Sequence, residues 1–216
     1  MKVRRGILPD AEVAQVFDSF AATIVPRCEL VHATAFELLV AVVLSAQCTD
    51  INVNKATARL FAVARTPAAI AALGIDGLVP LIRTLGLFNA KAKHLVELSR
   101  LLIERHGGAV PGTRDALTAL PGVGRKTANV VLNVWFGQET MAVDTHAQRV
   151  CNRLGLCRTT TPEATEQALE ARVPAAHRRN AHAFLVLHGR YTCTARRPRC
   201  ANCPAAAWCW RIGVAK

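Results

Sequence analysis

Leu120-Pro121-Gly122-Val123-Gly124-Arg125-Lys126-Thr127-Ala128, with Ala142-Val143-Asp144-Thr145-His146 behind it, is the stretch from which the rest of the chain can be ordered. Two glycines flank one apolar residue after a proline, which predicts a tight turn able to take positive φ. Arg125 to Phe136 then reads as a helix closed by Gly137, and Thr113 to Leu120 as a short helix ahead of the turn. The unit is helix, hairpin, helix. A glycine turn that opens a helix leaves backbone N–H groups pointing outward at the positive end of the helix dipole, which makes a phosphate site. Gly-x-Gly alone also fits an ordinary helix connector. The basic pair Arg125-Lys126, the acid Asp144 one helix later and a cysteine cluster near the C-terminus weigh against that plain reading.

Working outward, every other periodic segment reads as helix. Pro9 to Ile24 places Val13, Val16, Phe17, Phe20 and Ile24 on one face. Phe36 to Leu44 is apolar nearly all round apart from Glu37; it reads as a central helix, because no other segment offers a strand partner. Ser45 to Asp50 breaks it, and Thr49 or Asp50 caps a helix from Ile51 to Ala62. Thr66-Pro67 starts a short helix that Gly74 ends, and Leu78 to Leu85 forms another. Asn89 is the expected cap of Ala90 to His106, which Gly107-Gly108 terminates. Asp144 can cap Thr145 to Leu154 before Gly155; Thr161-Pro162 opens a helix to Arg172, and Ala175 to Arg190 is the last long one. Nothing alternates with period two over a useful length. The expected fold class is all-α, with about ten helices.

The 216 residues are 51% hydrophobic, enough for a sizeable core in one or two domains. Twenty-seven Lys and Arg stand against 15 Asp and Glu, a formal charge of +12 that points to a polyanion, nucleic acid before membrane. No run of 18 or more apolar residues occurs, and Met1-Lys2-Val3-Arg4-Arg5 leads into no apolar stretch. A cytoplasmic chain without a membrane partner is expected. Eight cysteines in that setting argue for metal rather than disulfides.

Four of them, Cys193, Cys200, Cys203 and Cys209, are spaced Cys-x6-Cys-x2-Cys-x5-Cys. Structural zinc sites bring two short Cys knuckles together, and only one short spacing exists here. One loop wrapping a larger inorganic core is the other solution, since [4Fe–4S] clusters take four thiolates. Spacing leaves both open. Arg196, Arg197 and Arg199 lie between the first two cysteines, where a loop tied at both ends would read phosphate at reduced ordering cost, unless they are only a solvated charge run. Cys28, Cys48, Cys151 and Cys157 lack ligand spacing and read as free thiols.

Lys126 sits in the first turn of its helix beside Arg125, where the dipole and the neighbouring cation both favour a neutral amine. Such an amine can displace a base from a sugar C1′, form a Schiff base with the opened sugar and so promote β-elimination of the 3′ phosphate. Asp144 can move the protons this requires. Locally, Lys126 as a phosphate contact and Asp144 as a helix cap explain the same residues.

Leu120 to Ala128 followed by Val143 to His146 resembles the helix-hairpin-helix and Gly/Pro…Asp motif of the endonuclease III family of DNA repair glycosylases. The likeness runs from about Phe17 to Cys209 and includes the cysteine spacing. It implies two lobes: a six-helix barrel over 28–138, and an iron–sulfur lobe built from 1–27 and 139–216, with a DNA cleft between. It further implies Lys126 as nucleophile, Asp144 as catalytic acid, and a [4Fe–4S] cluster on Cys193, Cys200, Cys203 and Cys209. Gly122, Val123, Gly124, Arg125, His146, Arg196, Arg197 and Arg199 would contact DNA. A base must be flipped out of the duplex to be reached, so Gln47 matches the gap-filling glutamine and Leu87 the wedge. Cys48 stands where family members commonly carry a small residue. The implied activity is bifunctional, removal of oxidised pyrimidines such as thymine glycol and lyase cleavage at the abasic site. The implied partner is double-stranded DNA with damaged bases or abasic sites, bound by a monomer. A monofunctional mismatch glycosylase lacks the lysine and carries a further domain. A non-enzymatic hairpin module leaves Lys126 with Asp144 unexplained.

Overall fold

The computed structural model describes residues 7–214; the charges of Met1 to Arg5, and the expected lobe limits at residues 1 and 216, lie outside that range. Ten α-helices and one short 3-10 turn, with no strand, make up the regular structure of the described residues. No helix among them is long and apolar enough to cross a membrane.

Cys28–Gly137 forms one compact unit. It holds α2 (Ala35–Leu44), α3 (Asp50–Phe61), α4 (Pro67–Ile82), α5 (Phe88–His106), α6 (Arg114–Thr118) and α7 (Arg125–Val134). Helix α2 packs against α3, α5 and α7, and every residue from Phe36 to Leu44 is buried. Neighbours on all sides explain why its sequence carries no polar face. Each large side chain fully withdrawn from water there contributes about 1.5–3 kcal/mol. Glu37 is the one charge in that run. Its carboxylate accepts the Ala33 N–H at 2.6 Å and pairs with Arg65 Nε at 2.9 Å, while its own N–H goes to the Thr34 cap.

Gly74 ends the first helical stretch of α4 as expected, since its φ of 64° and ψ of −175° are non-helical. The stretch after it starts earlier than the expected Leu78 and ends at Ile82 rather than Leu85. Helix α5 starts at Phe88 with Leu87 as its cap, two residues before the expected Asn89. The reason lies in the backbone: Leu87 adopts the left-handed conformation, and its carbonyl accepts the Lys91 N–H at 3.0 Å. Asn89 therefore falls inside the first turn.

The described residues up to Arg27, together with those from Gln138 onward, form the other unit. It contains α1 (Asp10–Thr23), α8 (Thr145–Leu154), α9 (Pro162–Arg172), α10 (Ala175–Tyr191) and the 3-10 turn Cys200–Asn202. Phe17, Phe20, Val150, Leu154, Phe184 and Leu185 belong to its core. Helices α8 and α10 approach so closely that a Cβ on Gly189 would lie 2.9 Å from the His146 Cβ. Arg172 ties the two ends of the chain together, donating to the carbonyls of Leu8 and Leu156 and pairing with Asp10.

Candidate functional site

In the Cys28–Gly137 unit, the hairpin joins α6 to α7. Gly122 turns the chain at φ 76°, and a Cβ there would come within 3.0 Å of the His94 side chain, so only glycine fits. Val123 is buried and its N–H donates to the Leu120 carbonyl at 3.1 Å; the exposed positions of the turn are Gly122 and Gly124. Val123 thus anchors the hairpin through its side chain. Gly124 occupies the cap of α7 and brings no side chain to cover its N-terminus. Helix α7 is buried all round from Ala128 to Asn133, while Arg125 and Lys126 are exposed in its first turn. An ammonium at a helix start gains nothing from the dipole, and the position is suited to an anionic or electrophilic partner.

Gln47 and Leu87 share an unusual backbone. Among the described residues only three non-glycine positions have positive φ: Gln47 at 56°, Leu87 at 58° and Arg211 at 54°. A left-handed L-residue costs about 1–2 kcal/mol, and such positions cluster where function demands them. Both Gln47 and Leu87 are exposed, Leu87 to 61%. A leucine held out in water on a strained turn serves no packing purpose in the free protein.

In the other unit, Asp144 caps α8 by accepting the Ala147 N–H at 2.8 Å. The capping role, one of its two local readings, is therefore real, and it also fixes the carboxylate. His146, the second residue of α8, lies half-buried against Gly189, with Nδ1 3.2 Å from Arg149 Nη2.

Cys193, Cys200, Cys203 and Cys209 line one partly open cavity. Burial pushes the Cys203 thiol up and the Cys209 thiol up to about 11. Thiolates there need compensating positive charge from whatever the cavity holds. The walls already supply polar contacts to sulfur: Arg153 Nη1 is 3.6 Å from Cys193 Sγ, the Arg211 N–H is 3.4 Å from Cys209 Sγ, and His188 Nε2 is 3.7 Å from Cys203 Sγ. His188 is buried, and burial lowers its basicity to about 4, so it stands as a neutral ring beside the sulfurs. Arg196, Arg197 and Arg199 are exposed on the loop between the first two cysteines.

Three residues of these environments escaped the sequence reading. Arg149 donates to the carbonyls of Gly189 and Cys193, and Arg153 to those of Thr194 and Ala195; together they hold the start of the cysteine loop from α8. Their i, i+4 spacing directly after the Asp144 cap is the signal that could have found them. Lys91 is 4% exposed and donates to two carbonyls beside Gln47. Nothing in its local sequence marks it.

Residues 40–175 match the HhH-GPD superfamily of base excision DNA repair proteins. The chain is 54% identical over 178 residues to endonuclease III of Escherichia coli (strain K12), covering 82% of this chain and 84% of that protein. It is 52% identical over 209 residues to endonuclease III of Treponema pallidum (strain Nichols), covering 96% and 99%. Its fold is similar to that of a trapped endonuclease III–DNA covalent intermediate, with a TM-score of 0.89 at 44% identity over 94% of this chain and 96% of that one. A thermostable thymine-DNA glycosylase is a more distant neighbour, with a TM-score of 0.78 at 26% identity over 92% and 94%. With more than half of the chain inside the superfamily match and relatives of this identity along most of its length, the protein belongs to the endonuclease III family of HhH-GPD base excision repair proteins.

Proposed function

We propose that this chain is a DNA glycosylase and abasic-site lyase of base excision repair, and that Lys126 is its nucleophile. The observation that carries the assignment of residues is the exposed Lys126 amine in the first turn of α7, directly after the Gly122–Gly124 turn. The turn holds a DNA phosphate, the amine attacks C1′ of the extruded nucleotide, and the C1′–N bond electrons leave with the damaged base. Cleavage of the C1′–O4′ bond, with a proton delivered to O4′, opens the sugar to the Schiff base. The Schiff base acidifies the 2′ proton, and loss of that proton expels the 3′ phosphate. Asp144 takes and returns protons, its orientation set by the Ala147 N–H. Gln47 fills the gap left by the base and Leu87 wedges the stack, both from turns that expose them. Oxidised pyrimidines such as thymine glycol are the substrates.

The cysteine cavity fits a [4Fe–4S] cluster. Four thiols line it, all from Cys193 to Cys209 with a single short Cys-x2-Cys spacing, which suits one loop wrapped around a polynuclear core rather than the paired knuckles of a zinc site. When bound, the cluster ties together the loop that carries Arg196, Arg197 and Arg199, a structural and DNA-positioning task. Four iron and four sulfide per chain, roughly, is the expected content, and one zinc would overturn the assignment.

Borohydride reduction on a duplex with an abasic site or thymine glycol tests the nucleophile. The wild-type chain should leave a stable protein–DNA adduct, and Lys126→Gln should bind the duplex yet give neither adduct nor strand cleavage. Wild-type trapping by Lys126→Gln would send the chemistry to another amine.

A further inference from the structure

Lys91 is a buried cation that the chemistry above does not use. Its side chain is 4% exposed, and Nζ donates to the carbonyls of Leu44 at 2.9 Å and Ala46 at 2.7 Å and approaches Cys48 Sγ at 3.3 Å. Those three acceptors bracket Gln47 and include the last residue of α2. An ammonium has three donors, and here each has a partner. The carbonyls at a helix C-terminus are unsatisfied within the helix and carry its negative dipole end, so a cation is welcome there. Even so, burying an ammonium costs several kcal/mol, and an apolar side chain of similar volume serves stability at least as well.

The backbone of the same residue acts on the second strained turn. Lys91 N–H donates to the carbonyl of Leu87 at 3.0 Å, closing the first turn of α5 on the left-handed residue. One residue therefore holds the turn that carries Gln47 through its side chain and the turn that carries Leu87 through its backbone. These are the two positive-φ, non-glycine positions of this unit among the described residues. The left-handed backbone of Gln47 at φ 56° is unfavourable for an L-residue, and the hydrogen bond from the Cys48 N–H to the Ser45 carbonyl at 3.0 Å is local to the loop. The Lys91 ammonium supplies the external restraint.

We propose that Lys91 is a positioning residue for base extrusion, holding Gln47 in its exposed left-handed conformation and in fixed register with Leu87; this rests on the gap-filling and wedging roles given to those two residues above. Fixing the backbone of both turns before DNA arrives removes that part of the ordering cost from the extrusion step.

The test is a double-mutant cycle on single-turnover excision of thymine glycol from a duplex. Lys91→Met keeps the aliphatic stem and removes the charge, and thermal melting of each variant reports folding. Lys91→Met should slow excision by about 10–100-fold, the effect of misplacing a positioned group by about 1 Å. The Gln47→Ala, Lys91→Met double variant should be no slower than Gln47→Ala alone, because both act through one side chain. With 2-aminopurine opposite the lesion, the fluorescence rise on binding should fall in Lys91→Met as it does in Gln47→Ala; lost stability alone leaves that signal intact in the folded fraction. Wild-type excision by Lys91→Met, or losses that multiply in the double variant, would overturn the positioning role while leaving Gln47 in place. Wild-type excision by Gln47→Ala would instead remove the gap-filling reading and this inference with it. Should Lys91→Met fail to fold, Lys91→Gln, which retains an amide donor, carries the same cycle with the same expected outcomes.

Discussion

The Oδ1 atom of Asp144 accepts the Ala147 N–H at 2.8 Å, so the carboxylate assigned to proton transfer is also the N-cap of α8. One group thus answers to both helix stability and chemistry, and two substitutions separate them. Asn is as good an N-cap as Asp, so Asp144→Asn should melt with the wild-type protein yet turn over roughly 10²-fold more slowly. Asp144→Ala should lose about 1 kcal/mol of stability as well. Equal turnover by Asp144→Asn and wild type would leave Asp144 as a cap only.

Leu87 pairs exposure with backbone strain, which predicts opposite effects of one change. Leu87→Gly relieves the left-handed conformation at φ 58° and should leave stability unchanged or raise it by about 1 kcal/mol. The same variant should excise a paired lesion more slowly while binding undamaged duplex as before, since the wedge is gone. Undiminished single-turnover excision would take Leu87 out of the extrusion step.

Arg196, Arg197 and Arg199 are exposed side by side on the cysteine loop. Neutralising any one should weaken binding of damaged and undamaged duplex alike and lower the slope of log affinity against log salt by about 1. A change confined to lesion discrimination would contradict a phosphate contact.

Cys151 and Cys157 face each other across the end of α8. The hydrogen bond from the Cys151 thiol holds Cys157 down to about 7, and the same bond with burial pushes Cys151 up. Cys157 is depressed relative to the ordinary thiol value of 9.0, so the unfolded chain binds the extra proton between the two values. Its stabilisation is therefore complete above about pH 9 and is lost as pH falls through about 7. Urea midpoints should rise from pH 7 to pH 9 in the wild type and rise less in Cys157→Ser. Equal slopes for the two proteins would show that the Cys157 thiolate carries no such stabilisation.

The helices and their ends were legible in the sequence because the forces that set them are local. Thr49, Thr66 and Thr161 each accept an N–H three residues on, Asp144 does the same, and Gly74 and Gly155 break or close helices through backbone conformations that glycine takes without cost. The hairpin was readable for the same reason, as was the cysteine spacing that brings four thiols to one cavity. What tertiary structure alone decided is how the exposed turns are held. Lys91 reaches carbonyls 45 and 47 residues away, Arg149 and Arg153 reach the cysteine loop across 40 to 44, and Leu87 rather than Asn89 caps α5. A lysine or arginine has no local pattern that distinguishes a solvated charge from a buried clamp. The difference arises only when packing withdraws water from the charged group and places backbone carbonyls within its reach.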